Sequence, residues 1–149
     1  MKLIRENKEK QRATYFCKDR YRKVWRNTTP AWIKEHVQLL KQHVPGYVLN
    51  FGDNWIEYSI IPGVPASTLS HSPEFVDKIY KFCLDSIIET SPYVHGDWSL
   101  SNILVDGDKL RLCDWDNLGI YPMTDVRAKL ISDLTNAFGT SFQQYTQQS

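Results

Sequence analysis

The chain has 149 residues, of which 42% are hydrophobic and 13% aromatic, enough for one globular domain or two small packed lobes. Its formal net charge is +1, but residues 1–26 carry +7 and the remainder −6. No apolar run could span a membrane, no apolar signal core begins the chain, and the three cysteines lack a metal-binding spacing, so we expect a cytoplasmic protein with reduced thiols and no membrane partner.

The first half of the sequence predicts a β-rich region with one helix. Thr28-Thr29-Pro30 is a typical helix start, because a capping residue precedes proline at the first helical position. Pro62-Gly63 ends the last strand. The predicted elements are strands at 13–17 and 21–25, a helix from Pro30 to Val44, and strands at 47–51 and 55–61.

The basic character of residues 1–26 has more than one explanation. A basic front half and an acidic back half would suit a nucleotide cleft, with one side for phosphates and the other for metal-binding carboxylates. From charge alone, a solvated basic hairpin is the favoured interpretation. Only this basic segment would support nucleic-acid binding, so we do not expect nucleic acid as a partner.

The second half predicts helices on either side of a β-hairpin. A helix opens at Ser72-Pro73-Glu74 with an apolar face at helical spacing. Asp106-Gly107-Asp108 is a strong turn signal between strands at 103–105 and 110–113. A last helix is predicted over 125–138, before Gly139.

One short segment carries most of the chemical information. Residues 93–104 read Tyr-Val-His-Gly-Asp-Trp-Ser-Leu-Ser-Asn-Ile-Leu, and residues 112–116 read Leu-Cys-Asp-Trp-Asp. An aspartate (Asp97) can accept the proton of an attacking hydroxyl, an asparagine (Asn102) can hold a metal, and a second aspartate (Asp114) can hold the metals that bridge nucleotide phosphates. The three residues are therefore candidates for phosphoryl transfer.

The predicted hairpin explains the spacing of these residues. It returns the chain so that Asn102 and Asp114 meet at the same end, where two oxygen ligands can share a hard cation such as Mg2+. The alternative is structural: an acidic pair of turns beside a β-hairpin, with no ligand.

The sequence His-Gly-Asp-x-x-x-x-Asn-Ile-Leu followed by Asp-Trp-Asp resembles the aminoglycoside phosphotransferase and choline kinase group of the protein-kinase-like fold. Protein kinases usually have arginine at the position of Gly96 and Phe-Gly where this chain has Trp115-Asp116. The resemblance implies a minimal, truncated member with an α+β, two-lobed fold. Residues 1–62 would form a small β-rich, nucleotide-binding N-lobe with one helix, and residues 63–149 a reduced helical C-lobe with the catalytic and metal loops.

The same resemblance assigns roles in the N-lobe. Lys23 would contact the nucleotide phosphates, and Glu35 on the following helix would be its ion-pair partner. Ser59 and Ile61 would meet the adenine edge through a backbone C=O and N–H, respectively. The alternative for Lys23 and Glu35 is a pair of ordinary surface charges. An edge strand ending at a Pro-Gly turn would have the same sequence at Ser59 and Ile61.

Three further C-lobe residues receive roles by resemblance. His95 would hold the catalytic loop rather than transfer a proton, and Asp125 would tie that loop to the next helix. Asp125 could equally be an acid that stabilises a helix N-terminus. Asp116 either helps to bind metal or is solvated.

The implied activity is ATP-dependent transfer of the γ-phosphoryl group to a hydroxyl of a small molecule. Asp97 would be the base. The cofactors would be ATP and Mg2+, and Asn102 and Asp114 would hold the Mg2+. The alternatives are a catalytically weak or inactive nucleotide-binding kinase-like module and a minimal protein kinase.

No glycine precedes Gly46, so a Gly-rich phosphate loop is missing. Only 33 residues follow Asp116, so the acceptor site is minimal, absent or completed by a partner, and a homodimer is one arrangement that would complete it.

Overall fold

The computed structural model describes residues 1–146 and has the predicted α+β architecture. The chain divides after Ile61 into two compact units. The sequence-based boundary falls one residue later, and residues 147–149 of the predicted C-lobe lie outside the described residues. The strands are β1 (Lys2–Asn7), β2 (Arg12–Cys17), β3 (Arg20–Trp25), β4 (Val48–Phe51), β5 (Trp55–Ser59), β6 (Val64–Pro65), β7 (Ile103–Asp106) and β8 (Lys109–Leu112). The helices are α1 (Pro30–His43), α2 (Pro73–Thr90), α3 (Met123–Phe138) and α4 (Gln143–Thr146), with 3-10 turns at Ala66–Thr68, Leu100–Asn102 and Gly139–Phe142.

The first unit is built on an antiparallel sheet with the strand order β1-β2-β3-β5-β4. The sequence did not predict β1. Its first five side chains are all exposed, so the strand has no buried face from which an alternating pattern could be recognised.

The register of this sheet assigns its side chains to two faces. Directly opposed residues of an antiparallel pair project to the same face. Lys23 is opposite Thr14 on β2 and Ile56 on β5, so these three share a face. Arg22 is opposite Glu57, and this pair lies on the other face.

Helix α1 packs on the face that carries Lys23. The helix begins as its sequence predicts: Thr29 Oγ1 accepts a hydrogen bond from the Trp32 N–H at 3.1 Å, and Pro30 is the first helical residue. The Trp32 ring lies 5.7 Å from the ring of Trp25, which shares a face with Lys23. The helix buries four residues at helical spacing, Ile33, His36, Val37 and Leu40.

The second unit packs helices around a three-stranded sheet in the order β6-β7-β8. Ser72 caps α2 by accepting a hydrogen bond from the Phe75 N–H at 3.1 Å. Helix α3 starts at Met123, two residues before the predicted start. The buried residues of the two helices are Val76, Ile79, Cys83 and Ile87 in α2 and Val126, Leu130, Leu134 and Phe138 in α3. Among the described residues, no helix combines the length and the apolar character needed to cross a bilayer.

Candidate active site

The loop around Asp97 is closed by backbone contacts at its start and end. Val94 and Gly119 exchange two backbone hydrogen bonds, with N–O distances of 2.9 and 3.1 Å. The 3-10 turn at Leu100–Asn102 then leads directly into β7. Within the loop, Asp97 Oδ1 accepts a hydrogen bond from the Ser99 N–H at 3.3 Å. The half-buried Asp97 carboxylate is thereby oriented by the loop's own backbone.

His95 is buried and connects three parts of the loop region. Its Nε2 lies 2.8 Å from the Cys113 carbonyl oxygen, which can only accept, so Nε2 carries the proton. Its Nδ1 therefore accepts from the Asp97 N–H at 3.1 Å. This pattern requires a neutral ring, and burial lowers the pKa of His95 accordingly. The Trp115 ring packs against the imidazole edge-to-face at 4.7 Å. In this position His95 holds the loop and has no free nitrogen for proton transfer.

The hairpin brings Asn102 and Asp114 to the same end, as its spacing predicts. Ile103 is opposite Leu112 in the β7–β8 ladder, and the next residue, Cys113, donates its N–H to the Asn102 carbonyl at 2.9 Å. Asn102 Nδ2 donates to the Asp97 carbonyl at 3.4 Å, which leaves its amide oxygen available as a ligand. Asp114 has a φ of +59°, a conformation that is uncommon outside glycine.

The donor set at this end fits Mg2+. Carboxylate and amide oxygens are the ligands that a hard cation prefers, and Mg2+ is usually held by one or two protein groups with phosphates and water completing the shell. No group of three or more His, Cys, Asp or Glu residues able to hold a metal occurs in residues 1–146. Asn102 and Asp114 would thus hold a magnesium ion with few protein ligands. Asp116 is half-buried and takes part in an interaction within the chain.

The residue that connects the loop around Asp97, here called the catalytic loop, to α3 is Asp133. The sequence had predicted this role for Asp125, and that prediction is corrected. Asp133 Oδ2 accepts a hydrogen bond from the Trp98 backbone N–H at 3.0 Å, and Oδ1 lies 2.7 Å from Lys129 Nζ. Asp125 is exposed in the first turn of α3, about two turns earlier. Asp125 is not among the residues that α3 buries, which are Val126 and its neighbours in the repeat, and it lines the cavity described below.

Two residues near the loop were therefore missed from the sequence. The signal for Asp133 was an acid next to the apolar stripe of an amphipathic helix, where a charged side chain needs a partner. Its side chain is only 9% exposed. The signal for Lys129 was its position four residues before Asp133. Lys129 Nζ donates a hydrogen bond to the Asp133 carboxylate, and this bond raises the pKa of Lys129.

Gly96 is required by the shape of the loop. Its φ is +89°, and a Cβ at this position would lie 2.9 Å from the backbone oxygen of Asn117. The structure thus explains why residue 96 has no side chain: the segment after Asp114 passes too close.

A cavity of about 260 Å3 opens beside the catalytic loop. Gly96 and Trp98, the two neighbours of Asp97 in the chain, line it together with Asp125 and Lys129 of α3. Trp98 is fully buried, and its Nε1 has no hydrogen-bond partner within the described part of the chain. The cavity therefore combines apolar walls with a few polar groups, which is typical of small-molecule sites.

In the first unit, Lys23 lies where the sequence predicts but Glu35 does not serve as its partner. Lys23 is 7% exposed on β3, with Nζ 5.4 Å from the centroid of the Tyr58 ring. Glu35 is exposed on α1 and forms no ion pair in the part of the chain that the structure describes. The predicted Lys23–Glu35 ion pair is therefore wrong for this structure, because α1 turns Glu35 away from its buried face.

Ser59 and Ile61, the residues predicted to meet the adenine edge, lie at the end of β5 and just beyond it. The strand ends at Ser59, whose N–H donates to the Tyr47 carbonyl at 2.8 Å and whose Oγ donates to the Gly46 carbonyl at 3.1 Å. Ile61 lies two residues beyond the strand, half-buried and outside the ladder. The backbone at Ile61 is therefore outside the β3–β5 ladder, and its contact with an adenine edge stays a prediction.

Three solved structures have folds similar to this chain. A structure of the aminoglycoside phosphotransferase APH(3'')-Id from Streptomyces rimosus is 16% identical, with a TM-score of 0.65, and the match covers 99% of this chain and 83% of that one. Two structures of WbdD are 17% and 18% identical, with TM-scores of 0.61 and 0.60, and cover 89% and 93% of this chain. This chain spans only 36% and 41% of those two proteins. Among curated protein sequences, no relative matches.

These similarities confirm the protein-kinase-like fold with its small β-rich first unit. The narrower placement in the aminoglycoside phosphotransferase and choline kinase group stays a prediction. A family model for the RIO domain, a protein-kinase-like domain, matches residues 2–143. Because that match covers nearly the whole sequence, the chain belongs to the RIO domain family.

Proposed function

We propose that this protein is an ATP-dependent phosphotransferase that acts on a hydroxyl of a small molecule. The observation that carries the proposal is the closed arrangement of Asp97, Asn102 and Asp114. Asn102 donates to the Asp97 carbonyl, and the Cys113 N–H, next to Asp114, donates to the Asn102 carbonyl. A kinase-like fold and family membership support the same class of reaction.

In the proposed reaction, the acceptor hydroxyl oxygen attacks the γ-phosphorus of ATP. The bond from that phosphorus to the β–γ bridging oxygen breaks, ADP leaves, and the hydroxyl proton passes to the Asp97 carboxylate. Asp97 suits this role because the Ser99 N–H and the His95–Asp97 contact fix its position. Positioning accounts for most of the expected rate, since the protein does little covalent work in such reactions.

Other residues would bind and orient the nucleotide. A magnesium ion bound by Asn102 and Asp114 would neutralise charge on the phosphate oxygens. Lys23 would contact the phosphates. The backbone at Ser59 and Ile61 would contact the adenine edge. We retain Lys23 for this role without Glu35, because Lys23 is held on a buried sheet face by its own strand.

The cavity beside the catalytic loop supports a small acceptor. Its volume of about 260 Å3 lies slightly below the usual range for small-molecule sites, roughly 300–1,000 Å3. A compact amino alcohol or monosaccharide would fit such a volume better than a large antibiotic. The acceptor hydroxyl would reach Asp97 from this cavity, because the two chain neighbours of Asp97, Gly96 and Trp98, line it.

A protein kinase is a second candidate, favoured by the match to a protein-kinase-like family. The segment between Asp114 and α3 comprises only residues 115–122 and contains no Ala-Pro-Glu sequence. Such a short segment leaves little room for the activation segment with which protein kinases hold a peptide. The third candidate is a module that binds nucleotide without transferring a phosphoryl group, and the experiment must distinguish it from the two kinases.

The experiment measures ADP release from Mg-ATP by the full chain, alone and with a panel of amino alcohols, monosaccharides, aminoglycosides and a generic protein substrate. We expect release that depends on a small hydroxyl compound and falls at least about 100-fold in Asp97→Asn. Asp108→Asn is the matched control, since Asp108 is exposed in the β7–β8 turn. Turnover that is unchanged in Asp97→Asn would reject the mechanism. Transfer only to protein would favour the protein kinase, and ATP binding without ADP release would favour the binding module.

A further inference from the structure

The sheet face of the first unit that carries Lys23 has a second buried cationic residue. Arg12, the first residue of β2, is only 8% exposed. It is opposite Trp25 in the β2–β3 register, and Lys23 lies two residues before Trp25 on the same strand. Arg12 and Lys23 are therefore diagonal neighbours on one sheet face, a spacing of about 7–8 Å that long side chains bridge.

The other arginines of β3 do not contribute to this face. Arg22 and Arg20 project to the opposite face, where both meet the carboxylate of Glu57, at 3.0 and 3.7 Å respectively. The acid of β5 is thus committed to the far side of the sheet. Arg12 and Lys23 bring two cationic side chains to the other face, and both take part in interactions within the chain.

The turn before Arg12 uses part of its backbone in its own hydrogen bonds. The Lys10 N–H donates to Asn7 Oδ1 at 3.0 Å, and the Gln11 N–H donates to the Lys8 carbonyl at 3.3 Å. The Gln11 carbonyl in turn accepts from the Arg26 N–H at 2.8 Å. Two backbone N–H groups of the turn are therefore already bonded within it, which leaves fewer backbone donors for a phosphate than a Gly-rich loop has.

We propose that Arg12 and Lys23 together form a clamp for the phosphates of the nucleotide, with Arg12 replacing the missing Gly-rich loop. This inference rests on the proposed function for its ligand, a nucleoside triphosphate. A guanidinium suits the role because it is always charged and can donate two parallel hydrogen bonds to one phosphate. Each cation binds a different phosphate, so the clamp discriminates by phosphate number rather than by base.

Titration calorimetry of the full chain with Mg-ATP, adenosine and tripolyphosphate tests the clamp. We expect Arg12→Ala to weaken ATP and tripolyphosphate binding about 10- to 100-fold and to leave adenosine binding unchanged. Arg12→Lys keeps the charge and restores part of the affinity. Arg5→Ala is the matched control, because it removes an exposed arginine from the neighbouring strand β1.

The outcomes separate this inference from the proposed function. Equal ATP affinity in Arg12→Ala and the parent overturns the clamp but not the phosphotransferase. Equal losses for ATP and adenosine also overturn it, because they indicate a general effect on the fold. A parent that binds no ATP overturns the proposed function; the clamp then still stands if tripolyphosphate binds the parent and not Arg12→Ala, and falls if tripolyphosphate binds neither.

Discussion

Asp133 Oδ2 and the backbone nitrogen of Trp98 lie 3.0 Å apart, which joins α3 to the residue that follows Asp97. The second carboxylate oxygen of Asp133 binds Lys129 Nζ at 2.7 Å. One nearly buried acid therefore holds both the loop and a wall of the adjacent cavity. Its role is to position the loop, since it is Asp97 that would touch the substrate.

Removing this acid should loosen the catalytic loop. We expect Asp133→Ala to lower the free energy of unfolding by about 1–3 kcal/mol, because the Trp98 N–H loses its acceptor in a buried site. In the kinetic assay, kcat should fall while the KM for ATP changes little. Asp108→Ala is the control, since Asp108 is exposed in the β7–β8 turn, and its free energy of unfolding should stay near that of the parent. Equal kinetics for Asp133→Ala and the parent would contradict the positioning role.

Gly96→Ala should destabilise the protein more than the same change at Gly107. Both glycines have positive φ, +89° and +61°, so alanine is strained at either position. Only at Gly96 would the new Cβ also meet a backbone oxygen, that of Asn117, at 2.9 Å. Chemical denaturation should give a loss of about 1 kcal/mol for Gly107→Ala and ~2 kcal/mol or more for Gly96→Ala. Equal losses would mean that the loop can move away from Asn117.

Stability should decline in mild acid because of His95. Burial lowers the pKa of His95 in the folded state, so the unfolded chain binds the proton more readily. Its contribution to stability is therefore complete above the unfolded pKa, about 6.5, and is lost as the pH falls toward the lowered folded pKa. The free energy of unfolding, measured by denaturant from about pH 8 to pH 5, should fall more steeply for the parent than for His95→Gln. His71→Gln, at an exposed histidine, should keep the parent's slope. A parental slope in His95→Gln would show that His95 does not cause the decline.

The cysteines should react at different rates with a thiol reagent. Burial raises the pKa of Cys83 to about 12, and its side chain has no exposed surface. Cys17 and Cys113 are only half-buried. Iodoacetamide at about pH 8 should therefore modify those two residues in the native protein and Cys83 only after addition of denaturant, as followed by mass spectrometry. Native labelling of Cys83 at the rate of Cys17 would show that α2 opens readily.

Local sequence signals predicted much of the fold and the centre of the site. The segment from Asp97 to Asn102 leads directly into the β7–β8 hairpin, whose turn at Gly107 fixes the register of its two strands. Proline and a capping residue fixed the starts of α1 and α2 in the same way. Such features depend on neighbours in the chain, so they can be recognised from the sequence.

The residues that the sequence misassigned depend on packing between elements. Asp125 and Asp133 both lie on α3, and only the packing of that helix decides which one accepts the hydrogen bond from the Trp98 N–H. Likewise, the sequence alone did not show whether Glu35 lies on the buried face of α1. The structure places Ile33 and His36 on that face and Glu35 outside it. A periodic pattern in the sequence identifies the buried side of a helix. It does not identify the polar groups of other elements that this side contacts.

The hydrogen bonds within the turn at residues 7–11 have a consequence for the entropy of ligand binding. A flexible glycine-rich loop loses backbone freedom when it closes on a ligand, which costs roughly 1–2 kcal/mol for each residue that becomes fixed. In this protein the turn has already lost that freedom on folding, and Arg26 fastens it to the end of β3. A nucleotide would therefore meet a surface that needs little reorganisation, and its affinity would depend on charge and fit at a preformed sheet face.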